Sequence, residues 1–129
     1  ERALLEGRER RDMIVDLTPV ISSQDFSVLQ KRVREVFTAP ALFDYLQAVL
    51  AYTRQSADFV SGLSPRAGLY LLNAARAWAF MDARREVVPE DLQAVLPSVV
   101  GHRLHPVNGY ASLSGMDLTQ RLLEEVAIP

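Results

Sequence analysis

Three consecutive residues, Ser64-Pro65-Arg66, carry the clearest chemical signal in the sequence. Serine is a good N-cap, because its hydroxyl can accept a bond from a free first-turn N–H, and proline suits the first helical position. Arg66 then falls in the first turn, where a cation opposes the helix dipole at a cost of several tenths of a kcal/mol. A guanidinium kept there beside free N–H groups makes an anion site, suited above all to phosphate. Asn73 projects from nearly the same side of the helix, and Arg76 lies one turn beyond it. A plain surface arginine, or one paired with Asp58 or another acid, is the competing reading, and residue chemistry alone leaves both open.

Other constellations point to structure. His102 and His105 stand three apart, but Pro106 follows them and no carboxylate is near, so they lack a metal-ligand set. His102 beside Arg103 reads as a helix-end pair. Glu90 and Asp91 follow Pro89 at a helix start, where acids serve the dipole and free N–H groups. The sequence contains no GxxxxGK[ST] phosphate loop, no GxSxG elbow and no HExxH pair, so a self-contained enzyme is not expected.

The elements that must position these residues are helical throughout. Glu1 to about Leu17 reads as one or two short helices, with Gly7 a break and Pro19 a stop. Ser22 or Ser23 caps a helix to about Val36, with Phe26, Leu29, Val33 and Val36 as its stripe. Its Lys31, Arg32 and Arg34 suit the negative helix end and read as a solvated face. Thr38 is expected to cap the next helix, with Pro40 in its first turn and Leu42, Tyr45, Leu46 and Val49 facing inward. Gln55 to Leu63 is a loop. Pro65 to about Asp82 is apolar almost all round, which marks a central buried helix. There Leu72 and Trp78 are expected core residues, worth ~2–5 kcal/mol each on truncation to alanine. Val87-Val88 is a short extended piece, and Pro97 should kink or divide the helix that follows. His105 to Gly115 is an exposed loop, and Asp117, with Gln120 three on, is expected to cap the last helix. The fold class is therefore all-α, a compact bundle of about five to seven helices.

Composition agrees. At 129 residues the chain is the length of one domain and can bury its own core. Its 49% hydrophobic content argues against disorder, and zero cysteines remove disulfides, thiolate catalysis and Cys-based zinc sites. A net charge of −2 offers nucleic acid and anionic membranes no global attraction. No recognition helix with a basic face stands out, although thirteen of the fourteen basic residues are arginine. The chain begins at Glu1 with no initiator, signal or transit peptide, so a fragment is expected.

The stretch GLSPRAGLYLLNAARAWAFMDARREVVPEDLQAVLPSVVGHRL, Gly62 to Leu104, resembles the C-terminal helical lid domain of MoxR-type AAA+ ATPases. The S-P-R-A run, the V-x-P-E-D helix start and the closing H-R-L carry the likeness. The opening ERALLEGRERRDMI, the DYLQAVLAYTR helix and the final LLEEVAIP extend it over nearly all of the chain. The resemblance implies that residues 1–129 form one lid domain of a longer parent whose α/β ATP-binding core lies upstream. It implies that Arg66 is the sensor-2 arginine, with Ser64 and Pro65 positioning it and Arg54 a weaker contact to that core. It further implies ATP and Mg²⁺ in the parent, none bound by the fragment, and cytoplasmic rings, often hexameric. Partners would be neighbouring subunits, von Willebrand factor A domain proteins, and client enzymes assembled or loaded with metal cofactors. A free-standing helical interaction module without nucleotide chemistry is the alternative.

Overall fold

The computed structural model describes residue 7, residues 10–107 and residues 114–128. The expected helix at Leu4-Leu5 and the expected turn at Asn108-Gly109 lie outside the described residues. Among the described residues six α-helices follow one another: α1 (Arg10–Ile14), α2 (Ser23–Arg34), α3 (Pro40–Gln55), α4 (Pro65–Met81), α5 (Pro89–Val100) and α6 (Gly115–Glu125). A 3₁₀ turn, Gly101–Arg103, follows α5, and no strand occurs among the described residues. Packing divides the chain into two units, residues 1–30 and 31–129.

The first unit holds α1 and most of α2. Ser22 caps α2 as its sequence indicates: the Asp25 N–H donates to Ser22 Oγ at 3.0 Å, and the Ser22 hydroxyl donates to Asp25 Oδ2 at 2.6 Å. No residue of α2 is buried, yet of the expected stripe only Phe26 is exposed: Leu29 and Val33 are half-buried, and Val36, just past the helix, belongs to the core.

The second unit is built around α4, along which α5 packs most extensively. Tyr45 and Val49 of α3, Leu71, Ala75 and Ala79 of α4, Leu92, Leu96 and Val100 of α5, and Leu122 of α6 are fully buried. Small residues let the helices approach. A Cβ on Gly68 would come within 2.7 Å of Leu50 Cδ1, so α3 meets the α4 backbone directly there. Two extended links close the unit. Phe37 N–H donates to the Arg85 carbonyl at 2.9 Å and Val87 N–H to the Phe37 carbonyl at 3.0 Å, which makes Val87 extended as expected. Val60 N–H likewise donates to the His105 carbonyl, and Val107 N–H to that of Asp58.

Four expectations need correction. Apolar text runs all round α4, but only its Ala67, Gly68, Leu71, Leu72, Ala75 and Ala79 are buried. Leu69, Tyr70, Trp78 and Met81 are exposed; Trp78 is 47% exposed and is not core. Thr38 does not cap α3. The N-cap is Ala39, without a side-chain bond, and Thr38 Oγ1 instead accepts from Arg76 Nε at 3.2 Å. Pro97 does not divide α5, since it stands one turn from the helix end and removes a single N–H bond. Ser114, not Asp117, caps α6. Asp117 is the third helical residue, donating its N–H to Ser114 Oγ and accepting the Ser114 N–H at 2.8 Å. Bonds from the Ser114 hydroxyl and then its N–H hold the Asp117 carboxyl below the ordinary carboxylate range.

Candidate functional site

The last turn of α3 sets the approach to Arg66. Thr53 Oγ1 accepts the Leu63 N–H at 3.0 Å, and Arg54 Nε donates to the Leu63 carbonyl at 2.9 Å. Leu63 is buried, and Gly62 has no room for a Cβ against Arg54. The loop is thus fixed on both sides of its peptide just before Ser64, and Arg54 serves locally as its clamp. Ser64 is extended (φ −74°, ψ 159°) and accepts the Ala67 N–H at 3.3 Å. Pro65 occupies the first helical position, where its missing N–H costs nothing.

Arg66 follows in the first turn, exposed, with no hydrogen bond or ion pair to another described residue. Asp58, its sequence candidate as a partner, pairs instead with Arg121 at 3.7 Å. Asn73 shares the exposed strip with Arg66, whereas Arg76 turns away and is committed to Thr38. Beside the strip, Phe43, Leu50, Pro65 and Leu69 line an open apolar groove between α3 and α4.

Sequence reasoning overlooked one pair at this end of the domain. The Arg103 guanidinium stands over the Tyr70 ring, its Cζ 5.4 Å from the centroid, and its Nε donates to His102 Nε2 at 3.1 Å. The separation of Tyr70 and Arg103 along the chain hid this pair, and only an H-R doublet hinted at it. Among the described residues no group of three or more His, Cys, Asp or Glu side chains converges.

The acid pair behaves as the helix-start reading expects. Asp91, 2% exposed, accepts the Val88 N–H at 2.9 Å and is gripped by both terminal nitrogens of Arg84, one at 2.6 Å. Burial alone would raise this carboxyl, but the bonds from Arg84 and Val88 outweigh it and hold Asp91 below the ordinary carboxylate range.

With this geometry in view, the AAA lid domain family matches residues 51–125, which is more than half of the chain. The chaperone MoxR1 of Mycobacterium tuberculosis is 33% identical over 141 residues, covering 94% of this chain and 37% of MoxR1. The chain belongs to the AAA lid domain family, as a lid of the MoxR type. YeaC of Bacillus subtilis, an uncharacterized protein, is 30% identical over the whole of the lid and 41% of its own length. The lid therefore spans about two fifths of these relatives. A candidate ATPase from Cytophaga hutchinsonii of known crystal structure shares the fold, with a TM-score of 0.79 at 23% identity over 87% of the lid and 37% of that chain. No helix among the described residues is long and apolar enough to cross a membrane.

Proposed function

We propose that this lid closes over ATP bound in an upstream α/β core of the same polypeptide and that Arg66 is its sensor-2 arginine. One observation carries the reading: Arg66 stands in a serine-capped first turn, exposed and without a polar partner among the described residues. A cation placed against the helix dipole and left unpaired is costly to folding and suited to an outside anion. Its fork can hold γ-phosphate oxygens and counter the charge that develops during transfer. Ser64 and Pro65 set the position of Arg66, and Arg54 holds the loop that precedes it. Loss of the γ-phosphate would release the arginine, so hydrolysis would shift lid against core. Mg²⁺ would be held outside the described residues, which offer it no cluster.

The lid would work within a ring of neighbouring subunits in the cytoplasm. One relative is named as a chaperone, and the family resemblance of the sequence adds assembly or metal-cofactor loading of client enzymes, with von Willebrand factor A domain proteins as partners. The exposed Leu69, Trp78 and Met81 supply apolar surface for such contacts. In a polypeptide joining lid to core, Arg66→Ala should lower ATP turnover roughly 10²-fold, as loss of one charge-stabilising group does. The urea midpoint should not fall. Turnover within about twofold of the unaltered protein rules out the sensor role.

A further inference from the structure

The strip of α4 that carries Arg66 holds a second cation that the sensor reading does not use. Tyr70 lies one helical turn beyond Arg66, and both are exposed. Helical side chains lean toward the N-terminus, so the Tyr70 ring reaches back over the turn bearing Arg66. Arg103 stands on that same ring, its Cζ 5.4 Å from the centroid. Its Nε is engaged by His102, while its two terminal nitrogens meet no hydrogen-bond acceptor among the described residues.

Arg103 is also firmly mounted. Val100, Gly101 and Leu104 around it are buried, and a Cβ on Gly115 would overlap the Gly101 carbonyl oxygen, so the 3₁₀ turn is wedged against the start of α6. No Asp or Glu occurs between Pro65 and Met81 to neutralise either arginine. Two cations that meet no carboxylate among the described residues, Arg66 on α4 and Arg103 stacked on its Tyr70, complement a polyanion. A lone arginine grips one phosphoryl group, whereas two side by side suit a chain of them.

We propose that Arg103, steadied on the Tyr70 ring, is a second ligand-contacting cation beside Arg66, and that the two grip the phosphate chain of one nucleoside triphosphate. This rests on the reading of Arg66 given above and adds to it a residue and a stacking platform. The ring face of Tyr70 does the steadying, so its hydroxyl is dispensable.

Titrating the 129-residue chain with inorganic tripolyphosphate at low salt, followed by NMR of the arginine Nε–Hε groups, tests this. The Arg66 and Arg103 signals and the Tyr70 ring signals should move along one isotherm. Arg103→Ala and Arg103→Gln should each weaken that isotherm about five- to tenfold. Tyr70→Leu should weaken it less, and Tyr70→Phe should leave it within about twofold. Orthophosphate should bind more weakly, and ATP should act like tripolyphosphate. Movement at Arg66 with Arg103 and Tyr70 still overturns this proposal and leaves the sensor reading standing. Stillness at both Arg66 and Arg103 overturns this proposal, whereas the sensor reading stands or falls on the turnover of Arg66→Ala in the polypeptide joining lid to core. Equal movement at the exposed Arg32 and Arg34 marks general charge screening and overturns the proposal as well.

Discussion

Arg66 and Arg84 stand at opposite ends of α4, the first in its opening turn and the second three residues past its last. Arg84 has every nitrogen engaged: its two terminal nitrogens bind the buried Asp91, and its Nε binds Asp82 at 3.0 Å. Those bonds, Asp91's before Asp82's, push the guanidinium above its ordinary value. Ala83, held at φ 56°, makes the turn that aims Arg84 at Asp91. Arg66 has the same charge and none of these partners among the described residues. A cation saturated by acids of its own chain is a structural part, and removing it disturbs the fold. A cation on a fixed stage with nothing to bind is free for something outside the fold. Covered and uncovered positions of one helix thus divide between stability and function.

The hydrophobic positions of α4 test that division with the largest expected effect. Leu72→Ala should cost ~2–5 kcal/mol, because it leaves a cavity against α3. Trp78→Ala should cost under ~1 kcal/mol despite removing the larger side chain, since Trp78 is 47% exposed. Urea denaturation of the two variants decides it; equal losses would mean the uncovered face is structural after all.

Next in size is Asp91→Ala, which strips Arg84 of its buried partner and Val88 of an acceptor. We expect a loss of about 2–3 kcal/mol at neutral pH, below the fully buried range because the Arg84 side chain is 32% exposed. The native Asp91 carboxyl lies below its unfolded value, so its contribution is complete above the unfolded value of about 4 and fades as pH falls below it. The gap between variant and unaltered protein should therefore close on acidification below ~4. A gap that stays constant to pH ~2 would show that the ion pair is not its source.

What could be read beforehand follows the reach of each interaction. Ser22, Ser64 and Pro65 were legible because caps act within three residues and depend on residue type. The same locality misled at Thr38 and at Asp117, where two capping registers fit the text and packing or a second acid chose between them. Trp78 was misplaced because hydropathy tells what a residue tolerates, not which side of a helix has neighbours. Arg54, Tyr70 and Arg103 depend on contacts between distant elements, so their roles at the candidate site emerge only once α3, α4 and the 3₁₀ turn are assembled. Arg84 and Asp91, seven apart, were invisible as a pair because a left-handed alanine brings them together.

That alanine offers a smaller test at the covered end of α4. A non-glycine residue in the left-handed region costs ~1–2 kcal/mol relative to glycine in that conformation, offset by glycine's greater freedom when unfolded. Ala83→Gly should therefore gain about 0.5–1 kcal/mol in thermal or urea unfolding, with the Arg84–Asp91 pair intact. A loss of stability would mean that the turn owes its shape to the alanine methyl group.

The smallest effect is expected at the uncovered end, and its sign matters more than its size. Arg66 sits where a cation opposes the helix dipole and makes no compensating bond among the described residues. In the 129-residue chain without nucleotide, Arg66→Ala should raise stability by a few tenths of a kcal/mol, and added salt should shrink the gain by screening the dipole. Replicate urea titrations at low and high salt resolve a difference of this size. A loss above ~1 kcal/mol would place Arg66 among the structural arginines, like Arg84, and remove the contrast between the two ends. A salt-sensitive gain would mean that the chain bears a small cost in its folded state, with no return inside the domain, to keep a guanidinium in that place.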